Sequence, residues 1–386
     1  MKTFALFCGG MADRPSEMLS GRTPLEVAKT PHLDALVKKG RVGSVNFVPR
    51  SLSASRDVAC MAMLGYDPQE YYTGLAPLEA LALEISQDDR DVAFRFDFIT
   101  VSEDIFVDVT RRLSSRESEI LVTELNSKFG DAKAHFFKGH SHEGILMFKD
   151  SGSSEDLDEL ECVPPANASG QKITKLLPRG KSASALKDMM SKARKILEDH
   201  EINRVRIDLK ENPANMIWPW GQGKKPKLPG FEGRYGVRGG IVSETDFVKG
   251  LALNCGLTLF PTLAQAIENE AEFVFTYTPA RPEPNDLMAK IRRIEEFDAQ
   301  VVGPVCKATE AGGAYRILVG TDLIESAAQG LPAAGDVPFL LQGEGVEPEP
   351  SCDRFCEKAA HHKRFAFDEG HKLMAYFLGK SGGAHS

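Results

Sequence analysis

With 386 residues, 42% of them hydrophobic and 26% charged, the chain has the make-up of an ordinary soluble globular protein of two domains, or of one domain with a large insert. A net charge of -8 and a pI near 5.7 exclude a general nucleic-acid partner, because duplex binding needs a basic face, although a local basic patch still suits a phosphate ester. No stretch approaches the roughly 20 apolar residues of a membrane span, so a cytoplasmic protein with no membrane partner is expected.

In chain order, residues 3–7 read as a buried strand ending in a Gly9-Gly10 turn; the apolar run 4–8 is shorter than the roughly 7 to 15 residues of an export signal. Residues 31–39 read as a helix, with Thr30 as N-cap, Pro31 at the first helical position and Gly40 as the stop. Its residues Leu33, Leu36 and Val37 follow the spacing of one helical face. The middle third carries its own strands (94–101, 144–148) and its own helices (118–129, 185–199). Afterwards the first pattern returns: a strand over 273–277, an amphipathic helix over 286–304 and strands over 316–319 and 337–341, closed by a terminal helix over 371–378. Alternation of this kind predicts an α/β fold in three layers, with a mainly parallel central sheet covered by helices on both faces. The expected division is a core over 1–91, an inserted α+β cap over 92–206, a Pro- and Gly-rich linker over 207–240, and the rest of the core over 241–386.

Seven cysteines make an odd count with no regular framework. Cys352 and Cys356, with His361 and His362 nearby, offer part of a metal clip, but no second Cys pair completes a tetrahedral set, and free thiols are the simpler reading. Trp218 and Trp220 read as packing residues. His140 and His142, at alternate positions before a strand, share one side and read as plain surface histidines, with a ligand pair as the alternative.

Several stretches carry a family resemblance. They are Gly10-Met11-Ala12-Asp13, Gly21-Arg22-Thr23-Pro24-Leu25-Glu26-Val27-Ala28, Thr30-Pro31-His32-Leu33-Asp34, Asp57-Val58-Ala59, Leu64-Gly65-Tyr66-Asp67-Pro68, Tyr71-Tyr72-Thr73-Gly74, Pro77-Leu78-Glu79-Ala80 and Asn212-Pro213-Ala214-Asn215-Met216-Ile217-Trp218. In this colinear set the chain resembles the archaeal-type cofactor-independent phosphoglycerate mutases, a branch of the alkaline phosphatase superfamily. The resemblance implies an alkaline-phosphatase-like core with a cap. It also implies a glycolytic isomerase that interconverts 3-phosphoglycerate and 2-phosphoglycerate by passing the phosphate through a serine. Two divalent ions, Mn or Mg, held by Asp and His side chains, serve that chemistry.

The same resemblance assigns those parts to positions that no longer carry them. The nucleophilic serine falls on Arg56, with Ser55 one residue away. The metal-ligand positions fall on Gly9, Pro279, Glu283 (counted back without gaps from Lys290-Ile291), Asp322, Leu323 and Pro332, so Asp322 is the one retained family ligand. In the cap, Asp108-Val109-Thr110-Arg111-Arg112-Leu113, Glu143-Gly144 and Pro164-Pro165-Ala166-Asn167 replace stretches that serve the substrate in the family, and a Gly-rich loop after residue 260 is absent. The expectation is therefore no resident metal cofactor.

Three basic residues remain as candidates for a phosphate: Arg56, Arg95 and Arg234. For Arg56 the alternative is a salt bridge to Asp57, Asp322 or Glu283. A rebuilt single-ion Mg²⁺ site on Asp13, Asp57, Glu283 and Asp322 is a further alternative. Three functional readings follow. One is a pseudoenzyme that binds a phosphorylated small metabolite or pairs with a second copy or an active paralogue. Another is an enzyme of altered chemistry, and the third is a mutase with Ser55 as nucleophile and a rearranged metal site.

Overall fold

The computed structural model describes residues 1–129, 133–149, 156–280, 286–310, 312–327, 330–349, 353–360 and 365–380. Two compact units emerge, one formed by Met1–Tyr72 with Lys227–Ser386 and the other by Thr73–Pro226.

The first unit is built on an eight-stranded sheet in the order Ala366–Phe367, Arg41–Val45, Val337–Gly343, Tyr315–Gly320, Lys2–Gly9, Phe273–Pro279, Gly239–Ser243, Thr258–Leu259. Lys2–Gly9 lies at its centre and runs parallel to both neighbours, Tyr315–Gly320 and Phe273–Pro279. Only the pairings of Val337–Gly343 with Tyr315–Gly320 and with Arg41–Val45 are antiparallel. The sheet is thus mainly parallel, as the strand–helix alternation predicts. A strand covered on both faces must be apolar along its whole length, and every residue of Lys2–Gly9 after Lys2 is buried. Phe4 and Leu6 point to one face, where they pack with Val274, Ile317, Leu33, Ile291 and Ile294 in one hydrophobic cluster.

Two expectations for the helices change. The helix Pro31–Val37 forms, but the Thr30 side chain makes no capping hydrogen bond. Its exposed amides are satisfied from a distance in sequence: Asp298 accepts from the backbone N–H groups of His32 (3.2 Å) and Leu33 (2.8 Å). The helix expected over 286–304 is Leu287–Phe297, followed by a π-helical turn, Asp298–Val302, and a further helix, Gly303–Glu310. That turn carries Asp298, the capping residue.

The second unit is a five-stranded sheet with Val92–Ser102 at its heart, pairing antiparallel with Ile105–Val109, Glu143–Phe148 and Met216–Gly223. Strand alternation places Phe94, Phe96 and Phe98 on one face, in a core with Leu121, Leu186 and Trp218. Ala93, Arg95 and Asp97 therefore point to the opposite face, where Ala76, Ala80, Ile145 and Met147 gather around Ala93. This unit is wider than the expected 92–206 at both ends. The helix Ala76–Ala82 and the strand Met216–Gly223 both belong to it, so the expected linker 207–240 is ordered chain; Trp218 and Trp220 sit on that strand.

Candidate functional site

In parallel sheets, side chains that do chemistry collect beyond the carboxyl ends of the strands. The central strands of the first unit end together there. Gly9 lies beside Pro279 in register, and Asp322 follows Gly320 after one residue. At this end the chain gathers a charged cluster of Arg56, Asp322 and Glu325, bordered by Tyr277, Cys60 and Gly10.

Asp322 is buried and its oxygens are engaged. Oδ1 accepts from the backbone N–H of Gly10 (2.6 Å) and of Leu323 (2.8 Å), and Oδ2 accepts from the Tyr277 hydroxyl (2.8 Å). Arg56 opens the helix Arg56–Met63; its Nε stands 3.8 Å from Asp322 Oδ2, and its Nη2 forms an ion pair with Glu325. That Nε is a buried donor with no hydrogen-bond partner. Glu325 is fixed by backbone pairing: it lies opposite Pro332 in a short ladder, and its N–H donates to Ala12 O at 3.0 Å. Lys290, buried, donates to Asp13 Oδ2 (2.8 Å), Ala12 O (3.2 Å) and Glu325 O (2.6 Å), which ties the turn after Gly10 to the segment carrying Glu325.

Two glycines make this packing possible. Gly10 has φ +73°, and a side chain there would collide with the Glu325 carboxylate. At Gly9 a Cβ would lie 2.6 Å from Cζ of Tyr277, so the aromatic ring occupies the space a side chain at position 9 needs. Burial would pull the Arg56 guanidinium down, but Asp322 and Glu325 outweigh it and hold the group above its ordinary value. Burial and then Asp322 push Tyr277 well above its usual range, and burial with Asp322 and Asp57 does the same to Cys60. The cluster is a closed ion-pair network.

The family-derived positions can now be placed. Gly9, Pro279 and Leu323 lie around Asp322 or on the strand ends beside it, and none has a side-chain donor for a metal. Pro332 pairs with the backbone of Glu325. Glu283 lies outside the described residues, as do Cys352, His361 and His362. Of the acceptors expected for Arg56, Asp322 is one; Asp57 instead accepts from the Tyr72 hydroxyl. Asp13 is taken by Lys290, the Arg14 N–H (2.7 Å) and the Ala327 N–H (2.9 Å). Arg56 beside Asp322, and the three donors from which Asp322 already accepts, do not suit a pair of divalent ions on these residues. Sequence reasoning missed Glu325 and Tyr277, for which no linear motif gave a signal. Ser55, N-cap of the helix Arg56–Met63, makes no capping hydrogen bond with its side chain.

Arg234 does not join this cluster. Its guanidinium lies over the rings of Tyr66 (5.3 Å) and Tyr235 (5.6 Å), and its Nε donates to the Tyr235 hydroxyl at 3.1 Å. Among the described residues it takes part in no salt bridge.

In the second unit Arg95 is held by carboxylates, with Nη1 2.7 Å from Glu79 Oε1 and Nη2 paired to Glu143 and 3.7 Å from Asp97 Oδ1. Burial opposes its charge, and Glu79, Asp97 and Glu143 together raise it above its usual value. His142 does not sit as a plain surface residue: its Nε2 lies 3.5 Å from Asp97 Oδ1 and 3.6 Å from Glu143 Oε1. Burial lowers its imidazole below the ordinary value, against the pull of the two carboxylates. Trp218 is core, donating its indole N–H to Val163 O at 2.7 Å, whereas the indole N–H of Trp220 donates to Asp97 Oδ2 at 2.5 Å.

The fold, a mainly parallel sheet interrupted by an antiparallel α+β insert, is shared with solved structures. That of the PH0037 protein from Pyrococcus horikoshii superposes with a TM-score of 0.80 at 23% identity, covering 100% of this chain and 99% of that one. A cofactor-independent phosphoglycerate mutase from Thermoplasma acidophilum superposes at 0.61 with 24% identity, covering 99% and 100%. In sequence, the family profile described as 2,3-bisphosphoglycerate-independent phosphoglycerate mutase matches residues 37–203. A protein of that description from Methanothrix thermoacetophila is 35% identical over 98% of this chain and 100% of its own length. Another, from Methanosarcina barkeri, is 33% identical over 93% and 95%. The chain belongs to the family of 2,3-bisphosphoglycerate-independent phosphoglycerate mutases. Among its described residues no helix is long and apolar enough to cross a membrane.

Proposed function

We propose that this chain is a cytoplasmic member of the family that has lost the two-metal phosphoserine mechanism and serves as a pseudoenzyme that binds a phosphorylated small metabolite. One observation carries this: the Arg56 guanidinium is ion-paired with Glu325 and stands 3.8 Å from Asp322, at the positions that the resemblance assigns to the nucleophile and to a metal ligand. A cation fixed at that point repels divalent ions and cannot attack phosphorus, because a guanidinium has no lone pair to offer. Arg234 supports the binding half of the reading. It is the candidate cation held by aromatic rings instead of carboxylates, so its charge is available to an anion.

The test is conversion of 3-phosphoglycerate to 2-phosphoglycerate in an enolase-coupled assay with saturating Mn²⁺, beside an Asp322→Ala variant purified identically. The expected result is no turnover above that variant, together with a rise in melting midpoint on adding 3-phosphoglycerate. Turnover present in the wild type and lost in Asp322→Ala would overturn the proposal. A second reading, an active mutase with a rearranged metal site, is favoured by the uncommitted Ser55 side chain at a helix N-terminus. It requires that Ser55→Ala abolish the activity measured in the same assay.

A further inference from the structure

The first unit carries a cleft that the residues of the Arg56 cluster do not line. The strands Arg41–Val45 and Ala366–Phe367 run parallel at one edge of the large sheet, so the chain leaves both at the same end. The two exits are tied together there. The Gly370 N–H donates to Asn46 O at 2.9 Å, and a side chain at position 370 would meet that oxygen at 2.6 Å. The turn at Asp67 and Pro68 supplies a third wall, and Gln69 Nε2 donates to Ser51 Oγ at 2.7 Å. Between these segments lies a cavity of about 360 Å³. That volume falls inside the range of about 300–1,000 Å³ typical of small-molecule sites. Its floor is apolar, formed by the buried Phe47, Ala62 and Pro68.

The rim carries both signs of charge. Arg50 and Asp368 are exposed at it, and among the described residues neither side chain forms a salt bridge, with the other or with a third group. Asp67 receives the Gln69 N–H on Oδ1 at 2.9 Å, and the same oxygen stands 4.0 Å from His371 Nδ1. Glu369 is paired with Lys372. With His371 neutral, the three carboxylates of Asp67, Asp368 and Glu369 face the two cations Arg50 and Lys372, which leaves a formal charge of -1 around the cleft. A phosphate ester is poorly served where carboxylates outnumber cations, and a simple amine leaves Arg50 without a counter-charge. A molecule that carries both an ammonium and a carboxylate satisfies Arg50 and Asp368 together, and a second cationic group offsets the remaining negative charge. We infer that this cleft binds a free basic α-amino acid. Its carboxylate meets the fork of Arg50, its α-ammonium meets Asp368, and its side-chain cation lies toward Asp67. The site is separate from Arg234 and from the phosphorylated metabolite proposed above.

The test is calorimetric titration of the full chain with L-arginine and with L-lysine. Each is compared with its decarboxylated amine (agmatine, cadaverine) and with its Nα-acetyl derivative, which lacks the α-ammonium. At least one of the two amino acids should bind saturably at one equivalent, and both of its truncated forms should bind at least about tenfold more weakly. Arg50→Ala and Asp368→Asn should each weaken the amino acid by at least about tenfold. Both side chains are exposed, so the melting midpoint of each variant should stay with that of the wild type, which verifies that it is folded. Arg234→Ala should leave this binding unchanged. The assignment is overturned if neither amino acid binds at millimolar concentrations, or if the truncated forms bind as tightly as the parent. It is equally overturned if both rim variants bind as the wild type does, or if binding is lost in Arg234→Ala instead.

Discussion

Replacing Asp322 by alanine tests the network at its centre. In the wild type this carboxylate, with no exposed side-chain surface, receives two backbone N–H groups and the Tyr277 hydroxyl, and it faces Arg56 at 3.8 Å. Removing one partner of a buried ion pair costs about 3–5 kcal/mol because the other charge stays behind. Three further donors, the Gly10 and Leu323 N–H groups and the Tyr277 OH, lose their acceptor at about 1–3 kcal/mol each when they stay dry. Arg56 keeps Glu325, and water entering the vacated space serves some of the donors, so about 3–5 kcal/mol is expected in all. Tryptophan fluorescence is blind to this change, since both tryptophans belong to the other unit. The assay is therefore the labelling of Cys8 and Cys60, which are 1% and 0% exposed, in a denaturant series with peptide mapping of the modified thiols. A loss of about 3 kcal/mol raises their opening-limited labelling by about two decades. Labelling within twofold of the wild type would refute the reasoning. So would a wild type stabilised by Mn²⁺ where Asp322→Ala is not, because Asp322 would then be working as a metal ligand.

Other outcomes follow from the same geometry. Gly9→Asp, which places an acid where the resemblance expects one, should destabilise the protein by about 1–3 kcal/mol or more because the Tyr277 ring fills the space. Adding Tyr277→Ala should recover part of that loss, and a strictly additive double-mutant cycle in melting experiments would show the two positions to be uncoupled. Arg234→Ala should reduce the melting shift produced by 3-phosphoglycerate by more than half while leaving the ligand-free midpoint within a few degrees. An unchanged shift would exclude this residue from binding. Burial raises the Asp298 carboxyl above its ordinary value of 3.8, so the folded chain holds that proton more firmly than the unfolded one. Stability from this group is thus complete at low pH and lost as pH rises through the folded value. Asp298→Asn should be least harmful near neutral pH and lose ground to the wild type as pH falls toward the ordinary value of 3.8; a difference that does not vary with pH would contradict this.

Much of the fold was legible in the sequence. The strand over 3–7, the helix after Thr30 and the return of strand–helix alternation near residue 273 come from hydrophobic periodicity, which reports burial directly. The ordered short motifs carried the family. They also set the expectation that Gly9, Arg56, Pro279 and Pro332 stand where the family chemistry uses other residues. Partners were another matter. Arg56 finds Glu325 across 269 residues, Tyr277 closes the space at Gly9, and Asp298, not Thr30, caps the helix Pro31–Val37. The strand Met216–Gly223 joined the second unit because its pairing with Val92–Ser102 outweighs the Pro and Gly content that reads as linker. In each case a side chain's type was visible in the sequence while its neighbour was not. Periodicity fixes which face of an element is buried, but strand order and register decide which distant residue comes to lie opposite. That is why the opposed carboxylates of Asp97 and Glu143, with His142 at their edge, exist only in the folded chain.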